Sequence, residues 1–121
     1  MNIPKDWPKD CPPGKSRLPQ NESVYRVVKK DPPSNKDFQS MAELGKMPTA
    51  DPCLRVGVSV LKTWAGAEHH RKLFPSGKFI ACAMLKVDDG RVLDTPTEKF
   101  PEHVTWWPPQ GLKRESLFRV V

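Results

Sequence analysis

The chain has 121 residues, which is enough for one domain and excludes a second independent core. Its fourteen prolines far exceed the usual share of roughly 5% and argue against a helical bundle. Twenty lysines and arginines against fourteen acidic residues give a net charge of +6. This charge favours an anionic ligand, nucleic acid or an acidic protein surface as partner, and a solvated basic surface is the alternative explanation.

The first 22 residues hold five prolines and many charges. They predict an irregular Pro-rich arm over residues 1–22, followed by a single domain over residues 23–121. The apolar, β-branched run from Val24 to Lys30 predicts the first strand, which the Pro-Pro turn at residues 32–33 ends. The segment "SNKDFQSMAELGK", residues 34–46, then predicts a short helix that ends at Gly45.

The run "LRVGVSVL", residues 54–61, alternates between two faces and predicts a strand with one packed face. "TWAGAEHHRKLF" then predicts a short helix capped by Thr63, with Trp64, Ala67 and Arg71 on one side. The adjacent histidines 69 and 70 point about 100° apart on such a helix. We therefore expect them on a solvated surface and not in a metal site.

The segment "KFIACAMLKV", residues 78–87, is apolar throughout and predicts a central strand covered on both faces. The segments "RVLDT", "HVTWW" and "ESLFRVV" predict three further strands after the turn at residues 88–90. Strands outnumber helices in this order. The sequence therefore predicts an α+β fold, with a small curved or split, mainly antiparallel sheet and two short helices on its faces.

Three cysteines, Cys11, Cys53 and Cys82, lie far apart without a C-x-x-C pair. This spacing predicts neither a disulfide framework nor a zinc site. The apolar surroundings of Cys82 predict a buried thiol. No segment has the apolar region of a secretory signal or the roughly 18 apolar residues of a membrane span. We therefore expect a cytoplasmic protein without a membrane partner.

An arginine in the first strand is the most informative single residue. Arg26 shares a strand face with Val24 and Val28, so it points inward if they do. A buried guanidinium stays charged and needs a carboxylate, a phosphate or several carbonyls. A structural acid such as Asp37 or Glu43 can supply the counter-charge, and so can a bound anion.

Three other residues complete a possible site around Arg26. Tyr25 is its neighbour on the strand, and Ser40 follows the next turn. Ser59 stands opposite the valine face of its strand, after a glycine where the backbone can approach a ligand closely. We expect the two serines and Arg26 to converge on an anionic ligand. The alternative is that Tyr25 and Arg26 lie on the solvent-exposed face of a sheet.

A histidine and a tryptophan share one face of the strand "HVTWW". His103 lies four positions before Trp107, so both side chains point the same way. Such a pair can stack on a base or another aromatic ring and donate a hydrogen bond to it. The alternative is that the tryptophans close the core and His103 bonds to a backbone carbonyl.

The order of elements resembles the small ADP-ribosyltransferase-like folds, which include RNA 2′-phosphotransferases and several toxin families. An aromatic-Arg pair in the first strand, "DFQSMAELGKMP", "RVGVSVLKTWAGAEHH" and "KFIACAMLKVDDG" carry the likeness, over residues 24–107. The resemblance implies that Arg26, beside Tyr25, and Ser59 grip NAD. The family's glutamate late in the chain has only Glu98 and Glu102 as candidates.

Two hypotheses of function follow. The first is a small, basic, non-enzymatic binding module for nucleic acid, a nucleotide or a protein partner, such as an accessory or toxin–antitoxin component. The second is an NAD-dependent ADP-ribosyltransferase-like or phosphotransferase-like enzyme. In that enzyme Arg26 would hold the phosphates, Ser59 the nicotinamide ribose, and His103 with Trp107 a ring. Glu98 or Glu102 would hold the reacting ribose hydroxyl, and the carboxylate would stabilise an oxocarbenium-like sugar.

Overall fold

The computed structural model describes all residues from 1 to 121. A six-stranded antiparallel sheet and two helices form an α+β fold, which confirms the predicted class. The strands are β1 (Glu22–Val28), β2 (Val58–Leu61), β3 (Phe79–Leu85), β4 (Arg91–Asp94), β5 (His103–Trp107) and β6 (Arg119–Val120). The helices are α1 (Pro52–Arg55) and α2 (Trp64–Leu73), and three single 3-10 turns span Asn35–Phe38, Val87–Asp89 and Arg114–Leu117. No helix is long and apolar enough to cross a membrane.

The sheet is open, with strand order β4-β5-β2-β1-β3-β6. Strand β1 pairs with β3 along its whole length, from Glu22 opposite Leu85 to Val28 opposite Phe79. In contrast, β1 pairs with β2 only where Tyr25 lies opposite Leu61. The two central strands therefore separate beyond this pair, and the sheet is split at its middle.

Each face of the sheet has its own apolar cluster. The larger core lies on the face covered by the 3-10 turn that ends at Phe38 and by the chain around Phe118, whose ring centroids lie 4.5 Å apart. Its buried members are Val24, Val28, Phe38, Val58, Val60, Ala81, Ala83, Leu85, Val92, Val104, Trp106 and Phe118. A smaller cluster lies under helix α2 and consists of Leu61, Ala67 and Ile80. The split between β1 and β2 opens beside this smaller cluster.

The segment after β1 does not form the predicted helix. Asn35–Phe38 is one 3-10 turn, and residues 41–45 are turns that end at Gly45, whose φ is +68°. The Asp37 carboxylate accepts hydrogen bonds from the backbone amides of Lys29 and Ser34, at 2.8 and 2.9 Å. These bonds satisfy one backbone amide just after β1 and one at the start of the 3-10 turn. A single turn is enough to bury Phe38.

The strand predicted over residues 54–61 begins only at Val58. The preceding residues form α1, because the Asp51 carboxylate accepts from the amides of Cys53 and Leu54 at 2.9 and 3.1 Å, and Pro52 occupies the first helical position. This cap and N1 proline favour a helix start over the apparent alternation.

The prediction that no disulfide forms is wrong. Cys11 and Cys53, 42 residues apart, form a disulfide between the N-terminal segment and α1. The arm has no regular element of its own before β1 begins at Glu22. It also pairs with the sheet, since the backbone amide and carbonyl of Arg17 bond to those of Val92 on β4, both at 2.8 Å.

Two smaller predictions need correction. Cys82 is a free thiol that is only half-buried, and Met84, two positions along the strand, is half exposed, so β3 is not covered on both faces. Helix α2 begins after Thr63 as predicted; of its side chains only Ala67 is buried, and Trp64 is 48% exposed. The last predicted strand is reduced to Arg119–Val120, because a 3-10 turn precedes it.

Candidate functional site

A cavity of about 360 Å³ lies where β1 and β2 separate. Helix α2 and the loop between β4 and β5, residues 95–102, close its other sides. Its lining residues are Tyr25, Arg26, Val27, Met41, Ser59, Leu61, His70, Phe74, Thr97, Phe100 and His103. The volume lies at the lower end of the range for small-molecule sites, which is roughly 300–1,000 Å³. Four residues that the sequence singled out, Tyr25, Arg26, Ser59 and His103, meet in this cavity.

The Arg26 guanidinium lies in the gap between the separated strands. Its Nε donates to the Asp37 carbonyl and its Nη1 donates to the Ser59 carbonyl, both at 2.6 Å. The second bond therefore links β1 to β2 beyond the one residue pair at which the two strands are in register. Its Nη2 donates to no protein atom, so donor capacity remains on the cavity side.

No carboxylate lies within 4 Å of the Arg26 guanidinium. The Asp37 carboxylate is held by backbone amides, and Glu43 pairs with Arg114 at 2.7 Å. Burial lowers the pKa of Arg26 to about 10, although Asp37 opposes this shift. The sequence left a carboxylate, a phosphate or several carbonyls as possible partners of the guanidinium, and the fold supplies two backbone carbonyls. A positive charge without an acidic partner therefore faces the cavity.

His70 enters the cavity from helix α2, which corrects the prediction that both histidines lie on a solvated surface. His69 is exposed, but His70 is half-buried and its Nδ1 is buried without a hydrogen-bond partner. Burial lowers the pKa of His70, and the nearby charges of Arg26 and His103 lower it further. The spacing from the buried Ala67 to His70 and Phe74 is i, i+3, i+7, a helical pattern that could have identified this residue.

His103 is oriented by the backbone of the loop that follows β4. Its Nδ1 lies 2.8 Å from the Thr95 hydroxyl and 3.1 Å from the Thr95 carbonyl. These contacts leave Nε2 as the ring nitrogen without a protein partner. Burial lowers the pKa of His103, while the bond to Thr95 raises it and Arg26 lowers it. Burial therefore favours the neutral ring, which an anion in the cavity would oppose.

The loop between β4 and β5 contributes an aromatic wall that the sequence analysis did not identify. The Thr97 hydroxyl accepts from the Phe100 amide at 3.0 Å and closes a tight turn. This turn places Phe100 against α2, with ring centroids 5.4 Å from His69, 5.0 Å from His70 and 6.2 Å from Phe74. The cavity therefore combines the cationic Arg26 with aromatic side chains on the wall formed by α2 and the loop.

Tyr25 and Ser59 contribute polar groups to the same cavity. The Cys82 thiol, opposite Tyr25 on β3, raises the pKa of the Tyr25 phenol, and burial adds to this effect. Ser59 is exposed, and its hydroxyl makes no hydrogen bond within the protein. Gly57, expected to let the backbone approach a ligand, instead lies against Thr105 and Trp107.

Two other predicted ligand contacts lie elsewhere. Ser40 is buried, and its backbone amide and hydroxyl exchange hydrogen bonds with Glu43 at 2.9 and 3.1 Å. Trp107 is fully buried, and its indole nitrogen donates to the Cys53 carbonyl at 2.9 Å. Both are structural, so neither can contact a ligand in the cavity.

No acidic residue lines the cavity. Glu98 is exposed on the loop. The Glu102 carboxylate bonds to the Thr63 hydroxyl at the start of α2 and lines a smaller hollow of about 220 Å³, which adjoins the cavity at Leu61 and Phe100. No group of three potential metal ligands is present anywhere in the fold. The arrangement can bind an anion through Arg26 and the histidines, but it holds no carboxylate against that anion.

Comparison of the chain with protein-family models, with curated proteins and with solved structures gave no significant match.

Proposed function

We propose that the protein is a binding module for a small phosphate-bearing ligand that also carries a planar ring, the chemistry of a nucleotide. Arg26 binds the phosphate through its Nη2. The imidazoles of His70 and His103 contribute donors, and the Ser59 hydroxyl contributes one more. The ring lies against Phe100 and Tyr25, since aromatic side chains stack on bases.

The observation that supports this function is the unpaired Arg26 guanidinium beside a cavity. Arg26 is half-buried, and charges withdrawn from water in proteins are normally paired, because desolvating an isolated charge is costly. Here the fold supplies two carbonyls and no acid. A bound phosphate would supply the missing negative charge and accept a charge-assisted hydrogen bond.

Transferase activity has less support than binding. The expected catalytic acid would be Glu98 or Glu102, and neither lines the cavity. The likeness to ADP-ribosyltransferase-like folds remains a prediction from the order of elements. A cytoplasmic location also remains a prediction, and the disulfide weighs against it because disulfides are rare in reducing compartments.

Isothermal titration with AMP and with NAD tests the binding function. We expect saturable binding of at least one of them at millimolar concentration or below. Ser59→Asp should weaken this binding at least about tenfold, because it places a carboxylate beside Arg26 where an anion would lie. Ser59 is exposed, so the variant should fold normally.

Ser59→Ala is the matched control, because it removes one hydroxyl and adds no charge. We expect it to cost no more than about 1.5 kcal/mol of binding free energy. Absence of heat with either ligand, together with no thermal shift at millimolar concentration, would contradict the proposal.

A further inference from the structure

A groove with four lysines continues from the cavity. This second hollow, of about 490 Å³, shares Arg26, Val27, His70 and Phe74 with the cavity, so the two meet at the guanidinium. We call it the lysine groove. Its lysines are Lys29, Lys30, Lys36 and Lys46.

None of the four lysines has an acidic partner. All are exposed, and no carboxylate lies within 4 Å of their ammonium groups. The one acid that lines the groove, Asp37, accepts from backbone amides. Of the thirteen lysines in the chain, only Lys62 has an acidic partner, Asp94 at 2.7 Å. What distinguishes these four is that they line one groove. The lysine groove is therefore a concentrated positive surface that begins where the proposed ligand site ends.

We infer that the natural ligand is a single-stranded nucleic acid, with one nucleotide in the cavity and the adjoining phosphates along the lysine groove. The inference rests on the proposed function, since it names the larger molecule to which the bound nucleotide belongs. Lysines without partners fit a row of phosphates, each of which displaces condensed counterions on binding. The aromatic cavity requires a base that is not stacked in a duplex, and this condition selects a single strand.

Fluorescence anisotropy with labelled oligouridylate and oligothymidylate of about 12 nucleotides tests the inference. If Arg26 and the four lysines each contact a phosphate, the logarithm of the affinity should fall with the logarithm of the salt concentration with a slope of about −3.5. The affinity should then drop about 130-fold between about 50 and about 200 mM salt. A self-complementary duplex of the same length should bind at least about tenfold more weakly, because its bases cannot enter the cavity.

A triple variant, Lys30→Gln, Lys36→Gln and Lys46→Gln, tests the position of the phosphates. With Arg26 and one lysine left, the loss over the same salt range should shrink to about sevenfold. The matched control is Lys5→Gln, Lys9→Gln and Lys15→Gln, three exposed lysines of the N-terminal arm. It lowers the net charge equally and should leave the salt dependence unchanged.

Three results would overturn the inference. One is an oligonucleotide that binds no tighter than AMP; the cavity could still bind a free nucleotide, so the proposed function would survive. A second is equal weakening by the two triple variants, which would assign binding to net charge alone. The third is tighter binding of polyglutamate than of either oligonucleotide, which would favour an acidic protein partner. Failure of AMP, NAD and the oligonucleotides together would remove the proposed function as well.

Discussion

His70 is a cavity residue whose protonation affects the stability of the fold. Burial, reinforced by Arg26, His103 and His69, holds its pKa below the ordinary 6.5. In the unfolded chain the imidazole binds a proton at its ordinary pKa. The folded state therefore binds fewer protons than the unfolded state as the pH falls through about 6.5, and acid reduces the stability of the fold.

The free energy of unfolding should decrease between about pH 7 and about pH 5, and His70→Gln should reduce that decrease. The size of the effect is a fraction of the limiting 1.4 kcal/mol or so per pH unit for one proton, because the ring is partly solvated. Urea unfolding at several pH values measures it. His69→Gln, one residue away on the exposed side, is the control and should change the pH dependence far less, because His69 contributes least to the lowered pKa of His70. Identical profiles for the two variants would contradict the role of His70.

At this scale the strand pattern predicted part of the site. Alternation placed Arg26 beside Val24 and Val28, and a charged side chain among valines is an unusual feature that a sequence can reveal. The pattern could not show that β1 and β2 separate beyond Tyr25, because a single strand carries no information about where its pairing with a neighbour ends. His70 was missed because the two histidines were considered together as metal ligands, although side chains about 100° apart on a helix leave room for one of them to face inward.

Among the elements, the junction between α1 and β2 depends on a glycine. A Cβ at Gly57 would lie 2.3 Å from the Thr105 methyl and 3.3 Å from the Trp107 indole nitrogen. Both neighbours are buried side chains of β5. The close approach lets β2 pair with β5 from Val58 onward and so fixes the side of the cavity that Ser59 and Leu61 form.

Gly57→Ala should therefore destabilise the protein by about 1–3 kcal/mol, the usual cost of overpacking a filled core. Thermal or urea unfolding measures the change. Gly14→Ala is the matched control, because nothing lies within 4 Å of a Cβ built there. Equal stability of the two variants would show that β5 moves aside at no cost.

Element types were predictable where one signal acted alone. Strand β5 and helix α2 formed where their patterns predicted them. The segment "HVTWW" does not begin with a helix-capping residue that would favour a helix, and no alternating pattern follows Thr63 that would favour a strand. Residues 54–57 carried two signals, an apparent alternation and the Asp51-Pro52 helix start, and only the folded chain shows which one prevails. The short segment around Phe38 has helical spacing but forms one turn, because Asp37 bonds to backbone amides before a second turn begins.

For the molecule as a whole, the Cys11–Cys53 disulfide joins the arm to the domain. It closes a loop of 42 residues, for which chain entropy gives a stabilisation of about 4 kcal/mol at most. Sequence could not reveal the pair, because three distant cysteines allow any pairing or none. The arm was predicted to be irregular, and its attachment depends on contacts with residues far along the chain.

Cys53→Ala should lower the free energy of unfolding by about 2–4 kcal/mol, and dithiothreitol should lower that of the wild type similarly. Urea unfolding with and without reductant measures both effects. Cys82→Ala removes the free thiol instead and should keep the full response to reductant. A wild-type protein that is indifferent to reductant would contradict the structural role of the disulfide.

The pairing of Arg17 with Val92 has a consequence for how copies of the molecule behave in concentrated solution. The outer margins of an open sheet are places where strands of separate molecules can join and aggregate. On one margin the arm occupies part of β4, and on the other β6 is only two residues long. Neither edge of the sheet therefore presents a long uninterrupted row of unpaired backbone amides. We expect this to disfavour edge-to-edge aggregation although the sheet is open.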